Sequence, residues 1–168
     1  AQRALFRAAA REAGVPESWA SSPGLQNLLR SESDGWVGIP NYTYGSRKND
    51  HSQWDNVHAE LQRGNITARS SATGLGQLLL ANVDRYYPDG RAGIGDPLNE
   101  AAGDLWLQVH RFEAAKTAYD LALQHAGPTP ALLAARGRVA ARLGEGTFID
   151  GERIYAKGSG ATPPTLAA

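Results

Sequence analysis

From Leu98 to Gly144 the chain consists almost wholly of helix-forming residues, and its one break is Gly127-Pro128-Thr129-Pro130. Glycine and proline there stop one helix and open another. The stretch therefore predicts two helices folded back on each other as an antiparallel pair. With so much of the chain committed to helix, any sheet has to be small, and the fold class is all-α.

The upstream sequence agrees. Gln2 to Ala13 reads as a helix stopped by Gly14, and Val15-Pro16-Glu17-Ser18-Trp19 starts a short second element. Leu25, Leu28 and Leu29 recur at the i, i+3, i+4 spacing of a buried helical face, in a helix that carries Glu32 and ends near Asp34-Gly35. Trp36 to Asp50 is loop or short strand, rich in Gly, Pro, Asn and Tyr. Asp50 or Ser52 would cap a helix bearing Trp54, Val57 and Leu61 and ending at Gly64-Asn65. A further helix is expected from Thr73 to Tyr87, with Leu75, Leu78, Leu79 and Val83 inward, and Asp96-Pro97 opens the next. Thr147 to Gly151 suits a short extended element, and Lys157 to Ala168 reads as a Gly, Ser, Pro and Ala-rich tail. The expected organisation is one domain over 1–146, including the helix pair over 104–146, followed by a tail or linker over 147–168.

Charge and composition narrow the function. Lys plus Arg number 17 and Asp plus Glu 17, so no bulk field draws the chain to nucleic acid or to an anionic membrane. There is no cysteine, which removes disulfides and thiolate metal sites. The histidines His51, His58, His110 and His125 form no tight ligand pair, so neither a metal nor another cofactor is expected. No apolar run reaches the ~20 residues of a membrane span. Ala1 to Ala13 mixes Arg with Ala and is read as helix rather than signal peptide; with no methionine at its start, the chain is expected to be processed or cut from a longer protein.

Two segments carry candidate chemistry. Glu32 leaves a helix whose inner face is Leu25, Leu28 and Leu29 for a loop rich in aromatic residues. An acid that must stay protonated at neutral pH needs such apolar cover. The second segment, Ser71-Ala72-Thr73-Gly74-Leu75-Gly76-Gln77, has two glycines within one expected helical turn, at a cost of up to ~1 kcal/mol each relative to alanine. Close approach of another backbone or of a ligand explains such glycines, as does a tight helix crossing, and Gln77 would be a neutral donor and acceptor beside them.

Glu32-Ser33, then Ser71 to Gln77, then Asp96-Pro97-Leu98-Asn99 resemble, in that order, the soluble lytic transglycosylases, lysozyme-like enzymes related to goose-type lysozyme. The resemblance spans Leu25 to Gly103. It implies a lysozyme-like helical domain, with an additional or closing C-terminal helix pair, acting on the glycan strands of peptidoglycan. Glu32 would be the general acid and base, cleaving the bond between N-acetylmuramic acid and N-acetylglucosamine and leaving a 1,6-anhydro end. The substrate's own acetamido group would stabilise the positive centre in place of a second carboxylate. Ser33 would hydrogen-bond near Glu32, and Gly74, Leu75 and Gln77 would line the cleft. Trp36, Tyr42 and Tyr44 would stack on sugar rings, although core packing accounts for them as well. The family's Ala-Tyr-Asn motif is met only by Ala118-Tyr119-Asp120, which makes Tyr119 the candidate to orient the acid, with Tyr155 as a second. The implied setting is the bacterial cell envelope or periplasm, or a phage virion.

Rival readings remain open at this level. A hydrolase on the same fold would use water as nucleophile, activated by Asp34, Asp50 or Asp55. A helical binding or scaffold protein would not use Glu32 at all. Gly103, Trp106, Phe112, Ala115, Tyr119 and Ala122 also resemble one tetratricopeptide repeat, but such repeats need about three copies to stack stably. Oligomeric state is not legible in the sequence.

Overall fold

The computed structural model describes residues 1–143 and the backbone of two short strands, Gly146–Ile149 and Ile154–Ala156. The chain is mostly helical and its class is all-α. Residues Ala1–Leu107 form one compact unit and Gln108–Ala168 a second.

In the first unit, α1 (Gln2–Ala13) buries Phe6, Ala9, Ala10 and Ala13 on one face and ends at Gly14 in the left-handed conformation. A 3-10 turn over Glu17–Ser21 packs on it and buries Trp19 and Ala20. Helix α2 (Pro23–Ser33) has proline in its first turn and buries Leu25, Leu29 and Ser33. Leu28 is half-buried. The helix stops where Asp34 turns left-handed (φ 53°) and Gly35 N–H donates back to Leu29 O, which satisfies carbonyls the helix leaves open.

The stretch expected to be irregular contains a 3-10 turn over Tyr42–Tyr44 and the single-turn α3 (Ser46–Asn49). Asp50 accepts from Ser52 N–H and leads through His51–Gln53 into α4 (Trp54–Gln62), as anticipated from the capping residues. Val57 and Leu61 of α4 join Tyr44, Leu78, Leu80, Val83, Tyr87 and Ile94 in a buried cluster.

The helix expected over Thr73–Tyr87 is shorter. Only Leu80–Tyr86 is helical (α5), its first N–H held by the Ser71 hydroxyl. Thr73 bridges Leu78, and Gly74 to Gln77 form the turn between them. Leu75 within the turn and Leu78 at its end are both buried, an i, i+3 spacing that suits this turn as well as a helix, and the glycines that looked costly inside a helix belong to a turn. Leu79, expected inward, is exposed.

Helix α6 (Pro97–Ala126) opens as expected at Asp96-Pro97, where Asp96 Oδ1 accepts from Asn99 N–H, and supplies its first turns to this unit. Gly103, assigned above to a close helix pair, meets the Tyr87 ring instead.

In the second unit the rest of α6 is followed by α7 (Pro130–Arg142), which Thr129 caps by accepting from Leu132 N–H. Arg136 pairs with Asp120 at 2.9 Å. Those residues lie similar distances either side of the connection, so the two helices double back as the Gly-Pro break implied. Val109, Gly137, Val139 and Ala140 are buried in this unit. Strands β1 (Gly146–Ile149) and β2 (Ile154–Ala156) pair antiparallel, the first matching the expected extended element. Lys157 to Ala168 and the side chain of Tyr155 lie outside the described residues.

Candidate active site

The site is built on one buried carboxylate that the sequence reading passed over. Glu100, in the first turn of α6, has no solvent exposure. Its Oε2 accepts the N–H of Gly38 (2.9 Å) and of Leu75 (3.0 Å), and its Oε1 accepts the N–H of Gly95 (3.0 Å). Three separate loops are thus tied to one side chain. Burial pushes the Glu100 carboxyl up to about 7, against the opposing effect of the three amide donors, and the charge of Asp96 adds to the rise.

The loops are also tied to one another. Gly74 N–H donates to Ile39 O, and Asn41 N–H to Ala72 O. Gln77 donates from Nε2 to Ile39 O and to Gly74 O, both at 3.0 Å, and accepts from Asn41 Nδ2. Its backbone is left-handed (φ 51°), a conformation costing an L-residue roughly 1–2 kcal/mol, and these side-chain bonds hold it there. His58, from α4, reaches Gly38 O with Nε2 at 2.7 Å; only a protonated Nε2 can donate to a carbonyl, which sets the ring's tautomer.

Gly74 and Gly76 have different reasons to be glycine. Gly74 is left-handed (φ 79°) and a Cβ there would lie 2.6 Å from the Glu100 carboxyl carbon. Gly76 sits directly against the carboxylate of Asp104, one turn along α6. Asp104 is buried, and among the described residues neither of its oxygens has a hydrogen-bond partner. Its carboxyl is pushed well above the usual range by burial, then by the charges of Glu100 and Glu32. The Tyr87 hydroxyl, also raised by burial, shares this region and likewise has no partner.

The residues singled out from the sequence divide. Glu32 stands at the end of α2 but is exposed, so the apolar walls expected around it are absent from the free chain; among the described residues the buried carboxyls are Glu100 and Asp104. Ser33 is buried and turned from that role: its hydroxyl donates to Leu29 O and accepts Gly35 N–H, finishing the helix end. Leu75 lines a cavity of about 380 Å3 together with Leu5, Gly35, Val37 and Pro97. Trp36 is 50% exposed, and its ring meets His51 (5.0 Å) and Trp54 (6.3 Å) edge-on. Tyr42 is 74% exposed, whereas Tyr44 is a core residue beneath the Arg47 guanidinium and unavailable for stacking on a sugar. Tyr119 is half-buried in the second unit.

Sequence reasoning missed Glu100, Asp104, His58 and Trp54. Glu100 and Asp104 lie on a helix otherwise apolar at their positions, Ala101, Ala102 and Leu105 all being buried; two acids on an inward stripe was the available signal. Among the described residues no cluster suited to a metal occurs, and no helix is long and apolar enough to cross a membrane. No family model, no curated protein and no solved structure matches the chain.

Proposed function

We propose that the chain cleaves the glycan strands of peptidoglycan as a lytic transglycosylase, with Glu32 as general acid and base. One observation carries the reading. Gly38, shortly after Glu32-Ser33, Leu75 of the Gly-Leu-Gly-Gln segment and Gly95 before Asp96-Pro97 all donate to Glu100. Chain next to Glu32-Ser33, the Gly-Leu-Gly-Gln segment itself and the residue before Asp96-Pro97 thus share one carboxylate, far apart as they are in the sequence.

The surroundings suit a sugar polymer. Glu32 is open to solvent, as an acid must be to reach a polymeric substrate, and the chain just beyond it lines the cavity of Gly35, Val37 and Leu75. That cavity falls within the range of small-ligand sites. Exposed Trp36 and Tyr42 offer ring faces to pyranose C–H groups. Glu32 then protonates the oxygen leaving N-acetylmuramic acid. The carboxylate so formed takes the proton of the muramyl 6-hydroxyl as that oxygen attacks the anomeric carbon, so an anhydro ring forms and no water is consumed.

Incubation with purified peptidoglycan and mass spectrometry of the products tests this. The expected products carry anhydromuramyl ends, and Glu32→Gln should lower their release by ~100-fold or more with an unchanged melting temperature. Reducing ends would instead make the chain a hydrolase. Equal release by Glu32→Gln would remove Glu32 from the chemistry.

A further inference from the structure

We infer that Glu100 is a positioning residue: its ionised carboxylate clasps the loops of Gly38, Leu75 and Gly95, and a proton on Oε1 loosens the Gly95 loop while leaving the other two tied. The argument is one of donors and acceptors. Gly38, Leu75 and Gly95 all present N–H groups, so every position around the carboxylate calls for an acceptor. Oε2 uses both lone pairs, on Gly38 and Leu75; Oε1 holds Gly95 alone. A proton takes the lone pair that Oε1 has free, since both of those on Oε2 are in use. The hydroxyl oxygen so formed is uncharged and a far poorer acceptor than a carboxylate oxygen, so the Gly95 bond is the one that weakens. Oε2, now the carbonyl oxygen, keeps both of its partners.

Burial places this event near neutral pH, since Glu100 is raised to about 7. The groups facing it are few. On its own helix are Asp96, which raises it, and Asp104; from the end of α5 comes Tyr87, and from α4 comes His58. His58 holds Gly38 O and lies against Gly95, and Asp104 is a second buried acid whose carboxyl is also raised by burial. Gln in place of Glu100 isolates the part that belongs to Glu100. Its single oxygen can serve Gly38 and Leu75, but its NH2 faces Gly95, which leaves the clasp permanently open at that loop and no longer sensitive to pH.

The amide experiment stands alone; the activity experiment rests on the glycan-cleaving reading. Amide hydrogen exchange followed by NMR, corrected for intrinsic rates, should show Gly95 protection falling about tenfold from about pH 8.5 to about pH 5.5, the weakening of one charge-assisted bond. Gly38 and Leu75 should hold their protection. In Glu100→Gln, Gly95 should be poorly protected throughout. Equal loss at all three amides, none at Gly95, or a Gly95 transition that survives in Glu100→Gln would overturn the inference. Should the Gln variant not fold, the selective loss at Gly95 in the unaltered chain decides. For activity, the wild type should lose kcat with little change in KM on acidification through neutrality, and Glu100→Gln should show a low kcat without that limb. A clasp that opens in a chain without glycan-cleaving activity would retain the inference and discard the proposed function.

Discussion

At the scale of single residues, the glycines of the turn show how one missing atom sets a local structure. Gly76 lies so close to the Asp104 carboxylate that no Cβ fits, whereas a Cβ on Gly24, in the first turn of α2, would meet nothing nearer than Ser22 Oγ at 3.7 Å. Gly76→Ala should therefore cost ~1–3 kcal/mol, from overpacking against a helix that cannot retreat. Gly24→Ala should be neutral or stabilising by up to ~1 kcal/mol, because alanine loses less backbone entropy in a helix. Urea unfolding of the two variants checks both; similar costs at the two positions would contradict the contact with Asp104. From the sequence, such glycines answer the close approach of a second backbone, of a ligand or of a crossing helix. The partner is a side chain on α6, which spacing within the turn could not reveal.

At the scale of elements, caps were legible and the interior of one helix was not. Asp96-Pro97 and Thr129-Pro130 each pair a side-chain acceptor with a residue preset for the first turn, and both start helices. Such signals are local, so they survive any tertiary arrangement. Asp96→Ala should cost ~1 kcal/mol in thermal unfolding, since Asn99 N–H loses its acceptor and Nδ2 loses one of its two. No loss of stability would mean that the cap is not used. The Thr73–Tyr87 stretch reads as wholly helical because its apolar period outweighs its two glycines, yet only Leu80–Tyr86 is helix. Thr73 N–H goes to Leu78 O and Gly74 N–H to Ile39 O, partners from a turn and from a distant loop that outcompete the helical ladder.

At the scale of the whole molecule, the two buried acids predict an unusual dependence of stability on pH. An acid whose folded value is raised stabilises the fold fully below its unfolded value, and that contribution disappears as pH rises through the folded value. For Glu100 the window runs from 4.5 to about 7, and Asp104 acts in the same direction from 3.8 upward. Asp84 and Asp96 are lowered, by the Arg91 guanidinium and by Asn99 respectively; their contribution is lost only as pH falls below the ordinary carboxylate range, outside that window. Unfolding free energy should therefore decline as pH rises from about 4.5 to about 7. The decline should be nearly absent in Glu100→Gln combined with Asp104→Asn. Stability that climbs across the same range in the unaltered chain would show that the amide donors outweigh burial at Glu100.

The sequence by itself determined the all-α class, most of the helix starts and stops, and the order of the segments that resemble a glycan-cleaving family. Those properties follow from short-range forces: backbone freedom at Gly and Pro, capping by side chains, and apolar period along one face. Only the tertiary structure decided that Glu32 is open while Glu100 and Asp104 are closed in, that Tyr44 belongs to the core and Trp36 and Tyr42 to the surface, and that three loops share one carboxylate. Burial and hydrogen-bond partnership depend on which remote segments come together. Gly38 and Leu75 donate to a side chain that nothing in their local sequence specifies.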